Sequence, residues 1–552
     1  MKNKIFYWSI ICFLILLLVG IFIYTMQLVS SVREILDQNY LRLNMLAISF
    51  EIIKKSFLKM LVILSVLVML LFLINFVKLQ KIIGIETNAI RKKRVFFIFH
   101  WLGRLKNIFL IITICLLFCF FVFFLNNPNK ETVSPNIILI VIDTLRADHL
   151  SCYGYERNTT PNIDELANEA IVFEKCYSVA PWTTPSIGSL FTAQYASVLG
   201  IKKEPVKLKK NFLTLAEVLN EYGYETKGII SHLFISSKLN FNQGFSSFDE
   251  ENIKDYKYVS SPSITAKAIS FIKSNLNNKF FLFLHYFDPH NDYILHKEYN
   301  YFPDYKGPFY SGQGILELRK FAPRMSRDDV EFIKSLYDSE ISFTDLYIGK
   351  LINWLKKVKL YNKTLLVLTA DHGEEFLERG DYYIGHAKTL YKELIHVPLI
   401  IKLPYQCFPA RIKQAVSLVD LMPTILDIVG LKIPKNYKHS GKIIKLSNSN
   451  IINYERDTIF FETKRLSTLI GVVKGKWKCI LNLRSDKVSL YDLEKDPLEK
   501  INLSQEFPQI SQELVQEINK WRYFVLSRKV KREKVEFTDQ QKEILRSLGY
   551  IK

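Results

Sequence analysis

The chain has 552 residues, 74 Lys and Arg against 54 Asp and Glu, a formal net charge of +20, and is 49% hydrophobic. That length is too great for one ordinary core, and the apolar excess is gathered before about residue 126, so a membrane region and a soluble α/β part are expected. The basic surplus is no nucleic-acid footprint, because much of it flanks apolar runs and no motif interleaves it with aromatics.

Three stretches, Ile5 to Met26, Met60 to Val77 and Asn107 to Leu125, approach the about 20 residues that cross a bilayer core. No small-residue cleavage site follows Tyr24, so the first reads as a retained span rather than a removed leader. Between the second and third spans stand Lys78, Lys81, Arg91, Lys92, Lys93, Arg94, Arg104 and Lys106, against Arg33, Arg42, Lys54 and Lys55 in the first loop. Lys and Arg stay on the cytoplasmic side, so the second loop and the N-terminus lie inside and everything after about Asn126 lies outside. The expected organisation is a multi-pass cell-membrane region of about three transmembrane helices over 1–125, a Pro-bearing linker over 126–135, a folded main domain over 136–430 and a C-terminal subdomain over 431–552. The spans are few and nearly free of internal charge, which excludes a transporter or channel.

After the linker, Ile137 to Ile142 is a continuous apolar run, the pattern of a strand buried on both faces, and it ends on Asp143. A helix is expected over Pro161 to Ala170, with Thr160 as its cap and Pro at the first helical position. A second strand, Phe280 to Leu284, leads into His285-Tyr-Phe-Asp-Pro-His290, and a long helix is expected over Arg327 to Lys357. A third strand, Leu365 to Thr369, leads into Asp371-His372-Gly373-Glu374. Ligands in open α/β sheets bind at the carboxyl ends of strands, and three such ends carry Asp and His, the donors a divalent metal beside an activated nucleophile needs. Glu340, Asp345, His149, His396 and Asp420 read as structural, and His285 as a hydrogen-bond partner behind the site. Outside the spans Cys152, Cys176, Cys407 and Cys479 leave room for one or two disulfides without indicating a pairing. The run Arg528, Lys529, Lys531, Arg532, Lys534 reads as a solvated surface or one drawn to anionic lipid.

Asp143-Thr-Leu-Arg-Ala-Asp-His-Leu-Ser-Cys-Tyr-Gly154 resembles the first signature of the sulfatase family of the alkaline-phosphatase superfamily. Thr160 to Ala167 continues it, and Ala180-Pro-Trp-Thr-Thr-Pro-Ser-Ile-Gly-Ser-Leu-Phe-Thr192 resembles the family's nucleophile segment. Thr369 to Glu374, Gly385-His-Ala-Lys-Thr-Leu-Tyr391, His396 to Leu399, Val419 to Thr424, Leu490 to Pro497 and Leu545 to Tyr550 follow in the family's order. The resemblance covers Asn136 to Lys552 and implies an α/β fold: an alkaline-phosphatase-like mixed sheet between helices, with a smaller C-terminal sheet. It implies Asp143, Thr183, Asp371 and His372 as metal ligands, Thr183 as the nucleophile position, and His290, His386 and Lys388 as residues that contact the transferred group or protonate the leaving oxygen. Lys388 matches only with a one-residue offset among family members.

Sulfatases make a formylglycine within Cys-x-Pro-x-Arg, but here the Cys is Thr183 and the Arg is Ile187, so no formylglycine is expected. Related phosphoethanolamine transferases and lipoteichoic acid synthases use a Thr nucleophile with zinc or manganese, and Thr144 stands where a typical sulfatase has a second Asp for calcium. One divalent ion, zinc, manganese or calcium, is therefore expected. The expected activity is hydrolysis or transfer of sulfate or phosphate esters of an envelope lipid or polysaccharide, with membrane lipids as neighbours and no nucleic-acid partner. The alternative is a non-catalytic relative that binds an anionic glycan or lipid headgroup. Substrate, acceptor and oligomeric state are left open.

Overall fold

The computed structural model describes residues 134–547, apart from 202, 205, 254–259, 291, 381–382, 406–408, 448–449, 531–532 and 534. The three expected spans fall outside the described residues; among those described, no helix is long and apolar enough to cross a membrane. Ser134–Lys552 forms one compact unit.

Its centre is a nine-stranded mixed sheet. In chain order the strands are β1 (Asn136–Ile142), β2 (Ile171–Tyr177), β3 (Glu225–Ile229), β4 (Ser247–Asp249), β5 (Phe280–Tyr286), β6 (Thr364–Ala370), β7 (His396–Lys402), β8 (Ala410–Ile412) and β9 (Val416–Ser417). Their spatial order is β8-β2-β7-β6-β1-β5-β3-β4, with β9 also on β2. β1 runs parallel to both β5 and β6, β5 parallel to β3 and β3 parallel to β4, so these five neighbouring strands point their carboxyl ends the same way. β7 is antiparallel to both neighbours, which makes the sheet mixed. The apolar run of β1 is buried at every position, as a central strand covered on both faces requires. Each fully buried Ile, Leu or Val contributes roughly 1.5–3 kcal/mol.

Helices α1 (Pro161–Ala167), α2 (Thr183–Thr192), α3 (Ser261–Ser274) and α4 (Arg327–Lys357) lie among these strands. α4 has the expected limits and begins with a capping box between Ser326 and Asp329. α1 stops three residues short of expectation, and the Thr160 side chain makes no capping bond; its hydroxyl donates to the Asp164 carboxylate instead, at 3.1 Å. The cap comes from the distant Asp345 on α4, which accepts from Asn162 N at 3.0 Å and Ile163 N at 2.7 Å. A four-stranded antiparallel sheet, β10 (Thr458–Thr463), β11 (Leu469–Lys474), β12 (Trp477–Asn482) and β13 (Val488–Asp492), forms the smaller C-terminal layer. It is followed by helix α5 (Pro508–Ser527). Cys152, Cys176 and Cys479 are free thiols, and Cys407 lies outside the described residues.

Candidate active site

Register fixes where the polar residues emerge. Val141 of β1 is level with His285 of β5, and Ile142 is level with Ala370 of β6, so Asp143 and Asp371 leave adjacent strands side by side. Thr144 turns the chain with φ 56°, a costly conformation for a β-branched residue, and its amide donates to Asp371 Oδ1 at 3.3 Å. Its hydroxyl faces the carbonyls of Asp143 and Pro289, at 2.7 and 3.0 Å, so it does not stand in for a second carboxylate ligand. Tyr337 of α4 braces the turn, donating to the Thr144 carbonyl at 2.7 Å.

His372 Nδ1 lies 2.9 Å from the Gly373 carbonyl, so that nitrogen carries the proton and Nε2 keeps its lone pair. Nε2 is 3.5 Å from Asp143 Oδ1, 3.4 Å from Asp371 Oδ2 and 3.4 Å from Thr183 Oγ1. Thr183 opens α2 after Trp182, in a helix buried along its whole length. Ser186 on the same helix donates to the Asp371 carbonyl at 2.7 Å, tying the helix start to the end of β6. The structure thus brings together Asp143, Thr183, Asp371 and His372.

This cluster carries more negative charge than its surroundings balance. Both Asp143 oxygens and Asp371 Oδ2 are buried without a hydrogen-bond partner. Burial, then the carboxylates of Asp371 and Glu374, push the Asp143 carboxyl well above its ordinary value; burial also raises that of Asp371. His285, buried with neither ring nitrogen hydrogen-bonded, stands with Nε2 3.5 Å from Asp143 Oδ2, and burial pushes it down to about 3. Asp143, His285 and Asp371 place donor atoms within 4.8 Å of one another, and a divalent cation would satisfy their orphaned atoms.

A second ring of histidines faces the same place. His290 follows β5 and its ring lies 5.0 Å from that of His386, which is 4.6 Å from the ring of His372. His386 Nδ1 sits 3.2 Å from Glu374 Oε1, so the carboxyl orients the ring with Nε2 away from it. Burial holds His290 and His386 well below, and Glu374 well above, their ordinary values. Lys388 lies on the same loop with its ammonium 4.8 Å from the centre of the Tyr383 ring, whose hydroxyl donates to the His386 carbonyl at 2.7 Å. The C-terminal layer props this loop: Thr463 of β10 donates to the Ala387 carbonyl at 2.9 Å, and Ser467 donates to that of Lys388.

Two residues at the candidate site went unrecognised in the sequence. His232, three residues beyond β3, shares a cluster with Asp143 and His290, and its Nδ1 accepts from Phe234 N at 2.9 Å. In the neutral ring that bond leaves the proton on Nε2, so the ring offers an N–H donor there. Arg465 comes from the β10–β11 connection and lies 4.7 Å from the centre of the Trp182 ring, next to Thr183 in the chain. Glu374 was visible within its motif, but its pairing with His386 was not. Ser231-His232 lacks a strand-end carboxylate, and Arg465 sits in an ordinary hairpin, so no sequence signal marked either. His149, His396 and Asp420 are held elsewhere, by Asp338, the Glu174 carbonyl and Arg456.

The model of the Sulfatase family matches residues 135–431. The chain belongs to the sulfatase family. A second match, to the N-sulphoglucosamine sulphohydrolase C-terminal model, spans residues 380–523 and includes the antiparallel layer. This sulfatase-type hydrolase is 25% identical over 488 residues to an N-acetylglucosamine-6-O-sulfatase of Bacteroides thetaiotaomicron, covering 71% of this chain and 87% of the relative. It is 22% identical to human arylsulfatase K over 71% of this chain and 82% of that one. Among solved structures, a phosphonate monoester hydrolase of Agrobacterium radiobacter matches with a TM-score of 0.59 at 18% identity, covering 71% of this chain and 96% of that one. A protein solved with its substrate D-glucosamine-2-N,6-O-disulfate matches with a TM-score of 0.57 at 21% identity, over 71% and 98%. These structural likenesses establish the fold, an α/β mixed sheet with a smaller antiparallel sheet.

Proposed function

We propose that this protein is a membrane-anchored, extracytoplasmic metalloenzyme that cleaves or transfers a phosphate or sulfate ester through Thr183, with phosphate the favoured centre. The observation that carries the reading is Thr183 Oγ1 at the start of a buried helix, 3.4 Å from His372 Nε2 in the Asp143–Asp371 cluster. Asp143, Thr183, Asp371 and His372 would hold one divalent cation, with His285 within reach of the same carboxylates; oxygen donors with imidazole suit zinc or manganese at least as well as calcium. Bound there, the ion supplies Lewis-acid stabilisation of developing oxyanion charge and lowers the pKa of the Thr183 hydroxyl.

The chain's own residues do the rest. Thr183 Oγ1, giving its proton to the neutral His290–His386 pair, attacks the central atom and the ester oxygen leaves opposite it, giving a covalent Thr183 ester that water or an acceptor alcohol resolves. The N-terminal amides of α2 favour an anionic group at this place. In this reading His232 Nε2–H donates to its equatorial oxygens, and His290 and His386 return the proton to the leaving oxygen. With Glu374 beside Nδ1, a proton gained or lost by the pair is presented at His386 Nε2. A threonine sulfate has no easy exit, whereas a threonine phosphate is open to in-line attack at phosphorus, and that difference favours the phosphate ester. The relatives named for sulfated sugars support a glycan or envelope-lipid ester as the substrate class. The three apolar segments before residue 126 and the basic loop between the last two support a cell-membrane anchor with the catalytic domain outside.

Metal-loaded protein exposed briefly to paired phosphate, phosphonate and sulfate esters and read by peptide mass spectrometry tests this. A phosphate-sized adduct on Thr183, absent from Thr183→Ala, is expected. An unmodified Thr183 with every ester, in protein that binds no metal, would retire the enzyme reading in favour of an anion-binding relative.

A further inference from the structure

Helix α5 carries large apolar side chains outside the face that its packing uses. Its inner face, Leu514, Ile518, Trp521 and Val525, is buried, with Trp521 stacked on Phe460 at 5.1 Å. Its last turns also display Tyr523, 79% exposed, Leu526, 52% exposed, and Phe524, 42% exposed. Isolated exposed hydrophobes need no explanation, but three within four residues at one helix end do.

A second segment, distant in sequence, meets the end of this helix beside Phe524. Arg528 donates to the Lys438 carbonyl, lies 3.4 Å from Ser440 Oγ, and places its guanidinium 5.2 Å from the centre of the Phe524 ring. That contact joins the end of α5 to the loop around 432–443, where Lys435, Lys438 and Lys442 are exposed and Ile443 is 44% exposed. Neither 428–444 nor 518–532 contains an Asp or Glu, although both are rich in Lys and Arg. Charge is therefore single-signed where the apolar side chains emerge.

We infer that this basic, aromatic surface at the end of α5 docks the folded domain onto an anionic phospholipid bilayer. Lys and Arg at such a surface are drawn to phosphate headgroups while their aliphatic stems, with Tyr and Phe rings, enter the boundary between headgroups and acyl chains. The apolar members favour lipid over a sulfated polysaccharide, since Leu526 and Ile443 gain nothing from a hydrated polyanion. The inference stands apart from the chemistry proposed for Thr183 and from the N-terminal anchor, because it concerns contacts of the folded domain alone.

The test uses the full chain in vesicles of phosphatidylcholine, with or without phosphatidylglycerol, each doped with a photoreactive lipid, and maps lipid adducts by peptide mass spectrometry. Adducts are expected on peptides spanning 519–529 and 436–443 with phosphatidylglycerol, and near background without it. Lys438→Glu with Lys529→Glu should lower their yield about tenfold or more, since each basic residue near an anionic surface is worth roughly fivefold in affinity. Tyr523→Ser with Leu526→Ser should also lower it, while turnover of a soluble ester and the thermal midpoint stay unchanged in both double variants. Adducts confined to peptides before residue 134, or equal on both vesicle types, overturn the inference. So does protection of the two peptides from trypsin by dextran sulfate with no lipid adduct, which would assign the surface to a polyanionic glycan.

Discussion

Replacing Asp143 by Asn should act with opposite sign on the metal-free and metal-loaded protein. Both Asp143 oxygens lack a hydrogen-bond partner, so the amide forfeits no bond, and one of two adjacent buried carboxylates disappears. Burial raises the Asp143 pKa above its unfolded value of 3.8, so its contribution to stability is full below that pH and is lost as pH rises through the folded value. At pH 7 to 8 the metal-free variant should therefore melt no lower than the metal-free parent, and preferably higher. A cation at about 100 to 1,000 times its Kd stabilises the parent by about 2.7–4.1 kcal/mol. An unfolding entropy of about 2.1 cal/mol/K per residue over the about 420 residues of Ser134–Lys552 comes to about 0.9 kcal/mol/K, so the parent should gain about 3–5 °C. The variant should gain nothing. Differential scanning fluorimetry of chelated protein, titrated with zinc and with manganese, reads both effects. A metal-free variant that melts several degrees below the parent, or one that keeps the full metal response, would refute the assignment of these carboxylates to a cation.

Glu374→Gln removes the carboxylate that orients His386, and should lower kcat about 10²–10⁴-fold while leaving metal binding intact, as a positioned general acid is worth that much; steady-state kinetics beside a metal titration check it. Arg146 donates to Glu378 Oε1 at 2.6 Å and to Asp148 at 2.9 Å, so Arg146→Gln should destabilise the fold by roughly 3–5 kcal/mol in denaturant unfolding. Burial opposes ionisation of Glu378, but Arg146 and then Lys334 outweigh it and bring its pKa from 4.5 down to about 2. That stabilisation is present above pH 4.5 and is lost as pH falls towards 2, and Glu378→Gln should flatten this acid limb in melts taken across that window.

The elements readable from sequence are those whose burial is uniform. β1, β5 and β6 have apolar runs ending in Asp or His because a central parallel strand is covered on both faces and opens onto the site only at its carboxyl end. The long α4 announced itself by its apolar period, Asp143, Asp371 and His372 by standing at such ends, and Thr183 only by the family resemblance of its segment. What the sequence could not supply depends on contacts between distant segments. The α1 cap comes from Asp345, about 180 positions away, rather than from the neighbouring Thr160. His232 acquires its donor role only through the Phe234 amide that fixes its tautomer, and Arg465 reaches Trp182 only because the C-terminal sheet folds back on the start of α2. Local pattern thus marked most of the candidate site residues, since strand burial and turn position are encoded over a few residues. Tertiary structure alone decided which of them face one another, because register and the docking of the second sheet are set by packing across the whole chain.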